Sequence, residues 1–214
     1  MTVEDPAAFP AGVRQLVPDD DAWNRLLGFA ELLRAQGELR GLIGPRELDR
    51  LWSRHLVNSL ALLDFVGCGC AVADIGSGAG FPGLVLAIAR PDLHVSLIEP
   101  MERRVEWLED AVAALAVENA TVVRARAEDL AGQRAYPVVT ARAVAALDKL
   151  ARWTLPLVAP GGSLVALKGA RAAAEVEAAS RVLRGFNATA TVHEVVSPLD
   201  GESTYVVEVV PGQS

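Results

Sequence analysis

The sequence predicts an α/β fold: a mostly parallel, seven-stranded sheet with an antiparallel edge strand, preceded by an N-terminal helical extension. Short apolar strands alternate with helical segments after residue 70, a pattern typical of parallel sheets that carry helices on both faces. A glycine-rich loop follows the first strand, as in open sheets that bind ligands at the carboxyl ends of their strands. Two late strands flank a turn at residues 198–201 and indicate the antiparallel pair.

The chain divides into three segments. We expect a flexible tail at residues 1–18, because its prolines interrupt any helix. Apolar residues at helical spacing predict the N-terminal helical extension at residues 19–66. The α/β domain occupies residues 67–214, and we expect it to form one structural unit with the extension.

Start and stop signals place the individual elements. Asp19, Asp20 and Asp21 are expected to cap and complement the start of the first helix, and Gly37 to end it. A second helical region is predicted at residues 45–64. The predicted strands span residues 71–75, 94–98, 121–124, 137–140, 163–167, 189–196 and 204–210, and the helices between them span residues 82–89, 101–117, 145–158 and 170–183.

Composition excludes several classes of protein. The chain of 214 residues has 51% hydrophobic residues but no apolar run near the roughly 20 residues that span a bilayer. Its start lacks a signal-peptide pattern, so we expect a cytoplasmic protein with no membrane contact. The net charge of −7 argues against a general nucleic-acid binder. Any RNA-binding surface must therefore be a local basic patch, for which the candidates are Arg50, Arg54, Arg124, Arg126, Arg142 and Lys168.

The glycine-rich loop indicates which cofactor the chain would bind. Gly76, Gly78 and Gly80 allow sharp turns and close approach of a ligand to the backbone. Dinucleotide-binding loops need their third glycine one residue later, where this chain has Phe81. Pro82 then removes a backbone donor that a pyrophosphate would use. The loop therefore favours a cofactor without phosphates, such as S-adenosylmethionine.

Two carboxylates complete this predicted cofactor site. Asp74 ends the first strand, and Glu99 ends the second, where an acidic side chain accepts hydrogen bonds from both hydroxyls of a ribose. No metal site is expected, since Cys68 and Cys70 do not complete a zinc ligand set. The pattern of strand, glycine loop, helix and acidic residue resembles motif I of class I methyltransferases, and so implies their Rossmann-like fold.

Five segments together are similar to a narrower family, the bacterial small-subunit ribosomal RNA guanine-N7 methyltransferases, also called the glucose-inhibited division protein B family. The similarity covers roughly residues 41–210. The segments are residues 54–59 (RHLVNS), 74–83 (DIGSGAGFPG), 126–128 (RAE), 141–143 (ARA) and 166–169 (ALKG).

The resemblance implies transfer of a methyl group from S-adenosylmethionine to N7 of a specific guanine in the 530 loop of 16S rRNA. The substrate would be naked RNA or RNA within the small ribosomal subunit, and the enzyme is expected to act as a monomer. By the same resemblance, the cofactor pocket would be lined by Gly76, Phe81, Ala127, Glu128 and Arg142. The transfer site or the RNA would face the catalytic candidates His55, Arg126, Arg142 and Lys168.

The chemistry of guanine N7 agrees with this interpretation, because an exposed lone pair needs no general base and the enzyme has only to align the reacting atoms. Methylation at cytosine C5 would need a nucleophilic cysteine near the fourth strand, and methylation of an adenine amine usually goes with a different loop there. The sequence has Thr140-Ala141-Arg142-Ala143 instead. Arg142 would orient the cofactor or donate to guanine O6, and Lys168 would contact a phosphate.

Three alternatives remain open from the sequence alone. A small-molecule methyltransferase of the same fold would need an enclosed substrate pocket, which the N-terminal helices could make. An NAD-dependent or nucleotide-sugar oxidoreductase is disfavoured by Phe81 at the third glycine position. A non-catalytic binding protein that keeps the fold is the third alternative.

Overall fold

The computed structural model describes residues 4–212 and contains one seven-stranded sheet in the order β3-β2-β1-β4-β5-β7-β6. Five strands, β1 to β5, run parallel to one another, and β7 runs antiparallel to both β5 and β6. The predicted α/β sheet with an antiparallel pair at one edge is confirmed. The strands are β1 (Ala71–Ile75), β2 (His94–Ile98), β3 (Ala120–Val123), β4 (Tyr136–Arg142), β5 (Val158–Lys168), β6 (Thr189–Val196) and β7 (Ser203–Val210).

Helices cover both faces of the sheet, as expected for parallel strands joined by helical crossovers. Within residues 4–212, no helix combines the length and apolarity needed to cross a bilayer. The α-helices are α1 (Ala11–Arg14), α2 (Asp20–Gln36), α3 (Pro45–Leu48), α4 (Asn58–Leu60), α5 (Gly83–Ala89), α6 (Glu102–Ala114), α7 (Leu147–Thr154) and α8 (Ala172–Gly185). Short 3₁₀-helices span Pro6–Ala8, Leu63–Phe65, Ala127–Leu130 and Leu155–Leu157, and a π-helix spans Trp52–Val57.

The first long helix begins and ends where the sequence indicates. The Asp19 carboxylate accepts a hydrogen bond of 2.8 Å from the backbone N–H of Ala22, which satisfies one free donor at the start of α2. Gly37 caps the other end of α2 through a bond to the Leu33 carbonyl.

The N-terminal segment differs from the loose tail expected for residues 1–18, of which residues 1–3 lie outside the described part. Residues 4–18 form a 3₁₀-helix and α1, and the side chain of Val13 is fully buried. Glu4 accepts hydrogen bonds of 2.7 Å from the N–H of Trp52 and 3.2 Å from the N–H of Ser53, at the start of the π-helix. The prolines limit the length of the helices. The segment is nevertheless held on the extension by the buried side chain of Val13 and by the hydrogen bonds that Glu4 accepts.

The second helical region, predicted as a unit over residues 45–64, is divided in the structure. A turn separates α3 from the π-helix, which leads directly into α4. A π-helix widens the turn by one residue and often occurs at functional sites. Here it carries Arg54 and His55, so the division changes where these side chains point.

Two apolar cores lie on opposite faces of the sheet. One joins the extension to α5 and α6, and the other lies under α7 and α8. The extension reaches the glycine loop through Phe29 of α2, whose ring tip would lie 2.9 Å from a Cβ atom placed on Gly80. The glycine at position 80 therefore allows a helix of the extension to pack directly on the loop.

Helix α5 starts so close to β1 that its first residue must be glycine. A Cβ atom on Gly83 would lie 2.5 Å from Cβ and 2.6 Å from Oδ2 of Asp74. We expect Gly83→Ala to lower the free energy of unfolding by about 1–3 kcal/mol, because this contact overpacks a rigid site. Urea unfolding followed by circular dichroism measures the change.

The matched control is Gly185→Ala, also in a helix, where an added Cβ would meet nothing within 4 Å. Alanine there should leave stability unchanged or raise it by up to about 1 kcal/mol. Equal effects of the two substitutions would contradict the packing described at the start of α5.

Candidate active site

The glycine loop lies across the carboxyl ends of β1 and β2. The backbone N–H groups of Gly76 and Ser77 donate to the Ile98 carbonyl at the end of β2, at 2.8 and 3.2 Å. The indole N–H of Trp107, on α6, donates to the Ala79 carbonyl at 3.1 Å. The loop is therefore fixed from β2 on one side and from α6 on the other.

Asp74 is a buried carboxylate at the base of this loop. Its Oδ2 accepts the Gly83 N–H at 3.0 Å, whereas Oδ1 has no hydrogen-bond partner in the described structure. Burial raises the pKa of Asp74 to about 7, while the nearby Ser77 hydroxyl, the hydrogen bond from Gly83 and the positive charge of Arg142 oppose this increase. An unpartnered, buried carboxylate oxygen is suited to a cationic or hydrogen-bond-donating ligand.

Glu99 closes β2 and is also buried, with 1% of the residue exposed. Its two carboxylate oxygens accept the N–H groups of Gly78 and Met101, both at 3.0 Å, and Arg104 lies 3.8 Å away. Because each oxygen has two lone pairs, both can accept a further bond. Sequence analysis placed this carboxylate beside the glycine loop, and the structure brings the two together.

A second group of side chains, the Arg142 cluster, comprises Glu47, His55, Phe81 and Arg142. The guanidinium carbon of Arg142 lies 4.7 Å from the centroid of the Phe81 ring, a cation–π distance. The His55 ring lies 5.0 Å from the same ring, tilted by 33°. Arg142 Nη2 and His55 Nδ1 are 2.6 Å apart, and His55 Nε2 and Glu47 Oε2 are 3.0 Å apart.

The charges in this cluster follow from its burial. Burial and the adjacent Arg142 lower the pKa of His55 to about 4, although the hydrogen bond to Glu47 opposes this decrease. Burial lowers the pKa of Arg142 to about 10, which leaves the guanidinium positively charged at neutral pH. His55 is therefore a neutral imidazole beside a permanent cation.

The loop after β4 packs on the glycine loop and also lines a large cleft. Ala143 has a φ of +55°, and a Cγ atom of Val144 would lie 2.8 Å from a Cβ atom on Gly76. Lys168 Nζ donates to the Ala145 carbonyl and to Glu175 Oε2, both at 2.8 Å. These bonds hold the loop in a strained backbone conformation against the first glycine.

The cleft has a volume of about 1340 Å³ and lies between the extension, the β4 loop and the β6–β7 turn. Three of the four catalytic candidates, His55, Arg142 and Lys168, line it, whereas Arg126 does not. The carboxylates and cations in its wall are mixed, so it is not a basic groove. Its charged lining residues are Glu47, Arg54, Asp64, Arg142, Lys168, Arg171, Glu175, Asp200 and Glu202.

The expected basic patch is largely neutralised by ion pairs. Four of its members form ion pairs of 2.8–2.9 Å with carboxylates. The pairs are Arg50–Glu202, Arg54–Glu47, Arg124–Glu102 and Lys168–Glu175. The Lys168 side chain is only 9% exposed, so its ammonium is committed to protein contacts. Among the six, only Arg126 is exposed with no carboxylate within 4.0 Å in the described residues.

The turn after β3 lies beside the end of β2. Arg126 precedes the 3₁₀-helix Ala127–Leu130, in which Ala127 is buried and Glu128 is exposed. The strand before this turn pairs with β2, so the turn lies at the same edge of the sheet as Glu99. Within residues 4–212, no three His, Cys, Asp or Glu side chains are grouped to hold a metal ion.

A family model described as rRNA small subunit methyltransferase G (GidB) matches residues 22–198. The chain belongs to this family. A protein from Beutenbergia cavernae, named ribosomal RNA small subunit methyltransferase G, is 52% identical over 207 residues, which cover 92% of this chain and 98% of that protein. A relative of the same name from Kineococcus radiotolerans is 47% identical over 211 residues, covering 98% of this chain and 83% of that protein.

Solved structures share the fold of this member of the methyltransferase G family. An O-methyltransferase from Bacillus cereus, in complex with SAH, superposes with a TM-score of 0.59 at 14% identity, covering 95% of this chain and 99% of that one. The ribosomal protein L11 methylase from Lactobacillus delbrueckii gives a TM-score of 0.56 at 12% identity, covering 73% and 77%. At these identities the likeness concerns the fold alone, and it confirms the predicted class I methyltransferase architecture.

Several residues of the site in this family member were not found by sequence reasoning. Glu47 is one, because a continuous helix over residues 45–64 would place it about 12 Å along the axis from His55. Val144 and Glu175 are two more, since their roles depend on how the β4 loop packs. Trp107 is another: it lies in the core, but its indole N–H also holds the glycine loop.

The burial of His55 predicts an unusual titration. In this protein its pKa is about 4, below the ordinary value of 6.5, so the unfolded chain binds a proton first as the pH falls. The stability contributed by the neutral imidazole is therefore fully present above about pH 6.5 and is lost as the pH falls towards 4. NMR titration of the His55 ring protons should give a midpoint near 4.

Arg142→Gln should raise the His55 midpoint, because the adjacent positive charge is one cause of the lowered pKa. Asp110→Asn, which removes an exposed ion pair with Arg40, serves as the control and should leave the midpoint unchanged. A wild-type midpoint near 6.5 would show that the ring is not buried against a cation.

Proposed function

We propose that this chain transfers a methyl group from S-adenosylmethionine to N7 of a specific guanine in the 530 loop of 16S rRNA. Membership of the methyltransferase G family supports an rRNA substrate in the small subunit. The observation that carries the proposal is the placement of Arg142. The guanidinium of Arg142 packs on the ring of Phe81, the residue that follows the glycine loop. Arg142 also lines the large cleft.

The residues around the glycine loop fit a donor without phosphates. The unpartnered Oδ1 of Asp74 would accept from a cationic amino group, and Glu99 would accept from ribose hydroxyls. A helix start that opens with Pro82 offers one backbone donor fewer to a pyrophosphate. The donor-binding domain is proposed as residues 67–214, and the residues that would hold the donor are Asp74, Gly76, Gly78, Gly80, Phe81, Glu99, Ala127, Glu128 and Arg142.

The transfer needs no general base. The donor, when bound, supplies a methyl group that is activated by a sulfonium, and guanine N7 offers an unprotonated lone pair. His55 is not available as a base, because its Nδ1 lone pair faces Arg142 and its Nε2 faces Glu47. The protein's contribution is alignment, which can lower a barrier by up to about 7–11 kcal/mol.

Arg142 is the proposed catalytic residue on the acceptor side. Two of its five N–H groups are engaged, by the Arg54 carbonyl at 2.9 Å and by His55 at 2.6 Å. The three others can donate to guanine O6 and hold the base in plane, which leaves the N7 lone pair free to attack. Phe81, packed against the guanidinium, supports this orientation and helps to exclude water from the site.

The remaining catalytic candidates take different proposed roles. Lys168 holds the β4 loop through Ala145 and Glu175, so we propose that it shapes the transfer site and does not bind a phosphate. Arg126, exposed and without a carboxylate partner, is the better candidate for a phosphate contact. His55 positions Arg142. The proposed enzyme acts as a monomer in the cytoplasm, where it meets the ribosomal subunit.

Methyl transfer from labelled S-adenosylmethionine tests the proposed function. The protein is incubated with bacterial small ribosomal subunits, with naked 16S rRNA and with a metabolite extract, and the labelled nucleotide is mapped. We expect label on one guanine, at N7, in an RNA-containing sample. Label only in small metabolites would favour the alternative, a small-molecule methyltransferase, and label on another base would refute the N7 assignment.

The buried Asp74 predicts that donor binding depends on pH. Because its pKa is about 7, the carboxylate is mostly protonated at pH 6 and mostly ionised at pH 8. Only the ionised form attracts a cation, so the affinity for S-adenosylmethionine should rise by up to about tenfold between these two pH values. Isothermal calorimetry measures the affinity.

Asp74→Asn should bind the donor more weakly at pH 8 and should show no such rise. The variant keeps an oxygen that can accept the Gly83 N–H, so the loop should remain folded. Asp110→Asn is the control and should behave like the wild type. The same pH dependence in Asp74→Asn as in the wild type would exclude Asp74 as the titrating anchor.

A further inference from the structure

Glu47 lies where no sequence motif pointed, in the wall of the cleft and next to two residues of the π-helix. Its Oε2 is 3.0 Å from His55 Nε2, and its Oε1 accepts from Arg54 Nη1 at 2.9 Å. The side chain is 33% exposed, whereas the His55 side chain is 14% exposed. Both oxygens are therefore directed towards residues that belong to the Arg142 cluster or flank it.

These contacts determine which nitrogen of His55 carries the proton. A guanidinium has only donors, so the nitrogen that faces Arg142, Nδ1, must accept. A neutral imidazole then carries its proton on Nε2, and that N–H is directed at a carboxylate oxygen of Glu47. Carboxylate, imidazole and guanidinium thus form a chain in which each hydrogen bond fixes the next.

We propose that Glu47 is a positioning residue for the methyl transfer: through His55 it holds the guanidinium of Arg142 against Phe81, with three N–H groups free for the acceptor base. The inference rests on the proposed function, since it assigns Arg142 to the acceptor side. Glu47 itself touches neither donor nor acceptor in this account.

The residues around His55 make this role specific to Glu47. The charged groups that face His55 are Arg142 on β4, Arg54 on the π-helix and Glu47 on α3. Glu47 is the only carboxylate among them, so no other acid within this group can replace it as the acceptor for Nε2–H. Loss of that acceptor would free the His55 ring to rotate. Arg142 would then lose one of the two acceptors that hold its guanidinium, His55 Nδ1 and the Arg54 carbonyl.

The test compares three substitutions. Glu47→Gln keeps an oxygen that can accept Nε2–H but removes the charge that pairs with Arg54. Glu47→Ala removes both, and Glu47→Asp keeps the charge but shortens the side chain so that it no longer reaches His55. We expect the single-turnover rate of methyl transfer to fall about tenfold or more in the Ala and Asp variants and to stay within about threefold in Gln.

A second readout follows the imidazole proton directly. The chain has only three histidines, so the His55 Nε2–H resonance can be assigned by ¹⁵N NMR. We expect a protected Nε2–H signal in the wild type and in Glu47→Gln, and loss of that signal through exchange with water in Glu47→Ala and Glu47→Asp. A purely structural role for Glu47 would not follow this order of variants.

The control is Asp110→Asn, which breaks an arginine–carboxylate pair of the same 2.9 Å length outside the cleft. It should match the wild type in rate and in the His55 signal. Equal loss of rate in Gln and Ala would assign the effect to the Arg54 ion pair, and rates for Ala and Asp within twofold of the control would overturn the proposal. Should Ala fail to fold, Asp carries the same comparison.

Failure of this inference can be told apart from failure of the proposed function. If the wild type methylates no small-subunit RNA, the proposed function fails, whatever the variants do. If the wild type methylates RNA while the variants keep both the rate and the Nε2–H signal, only the role of Glu47 fails.

Discussion

The hydrogen bond between the Asp74 carboxylate and the Gly83 N–H holds the central part of this molecule together. It joins the end of β1 to the start of α5 and thereby fixes both ends of the intervening glycine loop. The contact is so close that residue 83 has no room for a side chain. It also leaves the other oxygen of Asp74 buried and without a partner, which is costly unless a ligand uses it. The start of a helix and the proposed donor site therefore depend on one carboxylate.

The β4 loop connects this site to the cleft. Since β4 pairs directly with β1, residues that leave β4 lie beside the glycine loop without any long connection. Arg142 and Val144 come from the same short segment and both line the cleft, and Val144 also packs on Gly76. Lys168 and Glu175 hold the loop from the β5 side. Parallel pairing thus places the β4 loop, which lines the cleft, directly beside the proposed donor site, so that no wall has to separate a bound donor from an acceptor base.

Sequence reasoning located the strands, the glycine loop and the two carboxylates beside it, because these depend on local periodicity and on the order of strands in a parallel sheet. It did not find Glu47, since apolar spacing alone cannot reveal the turn that divides the second helical region. It also missed how the basic residues are paired: Arg50 meets Glu202 across 152 positions of sequence. The packing of residues 4–18 depends on Glu4 reaching the π-helix, again a long-range contact. Local patterns predict elements, whereas such contacts follow only from the tertiary fold.

A crystal structure with S-adenosylhomocysteine bound shows where the nucleoside lies. We expect the ribose hydroxyls on Glu99, the amino group at the free oxygen of Asp74 and the sulfur facing Arg142. A nucleoside bound elsewhere, with Glu99 still bonded only to its own backbone and Asp74 still unpartnered, would contradict this placement.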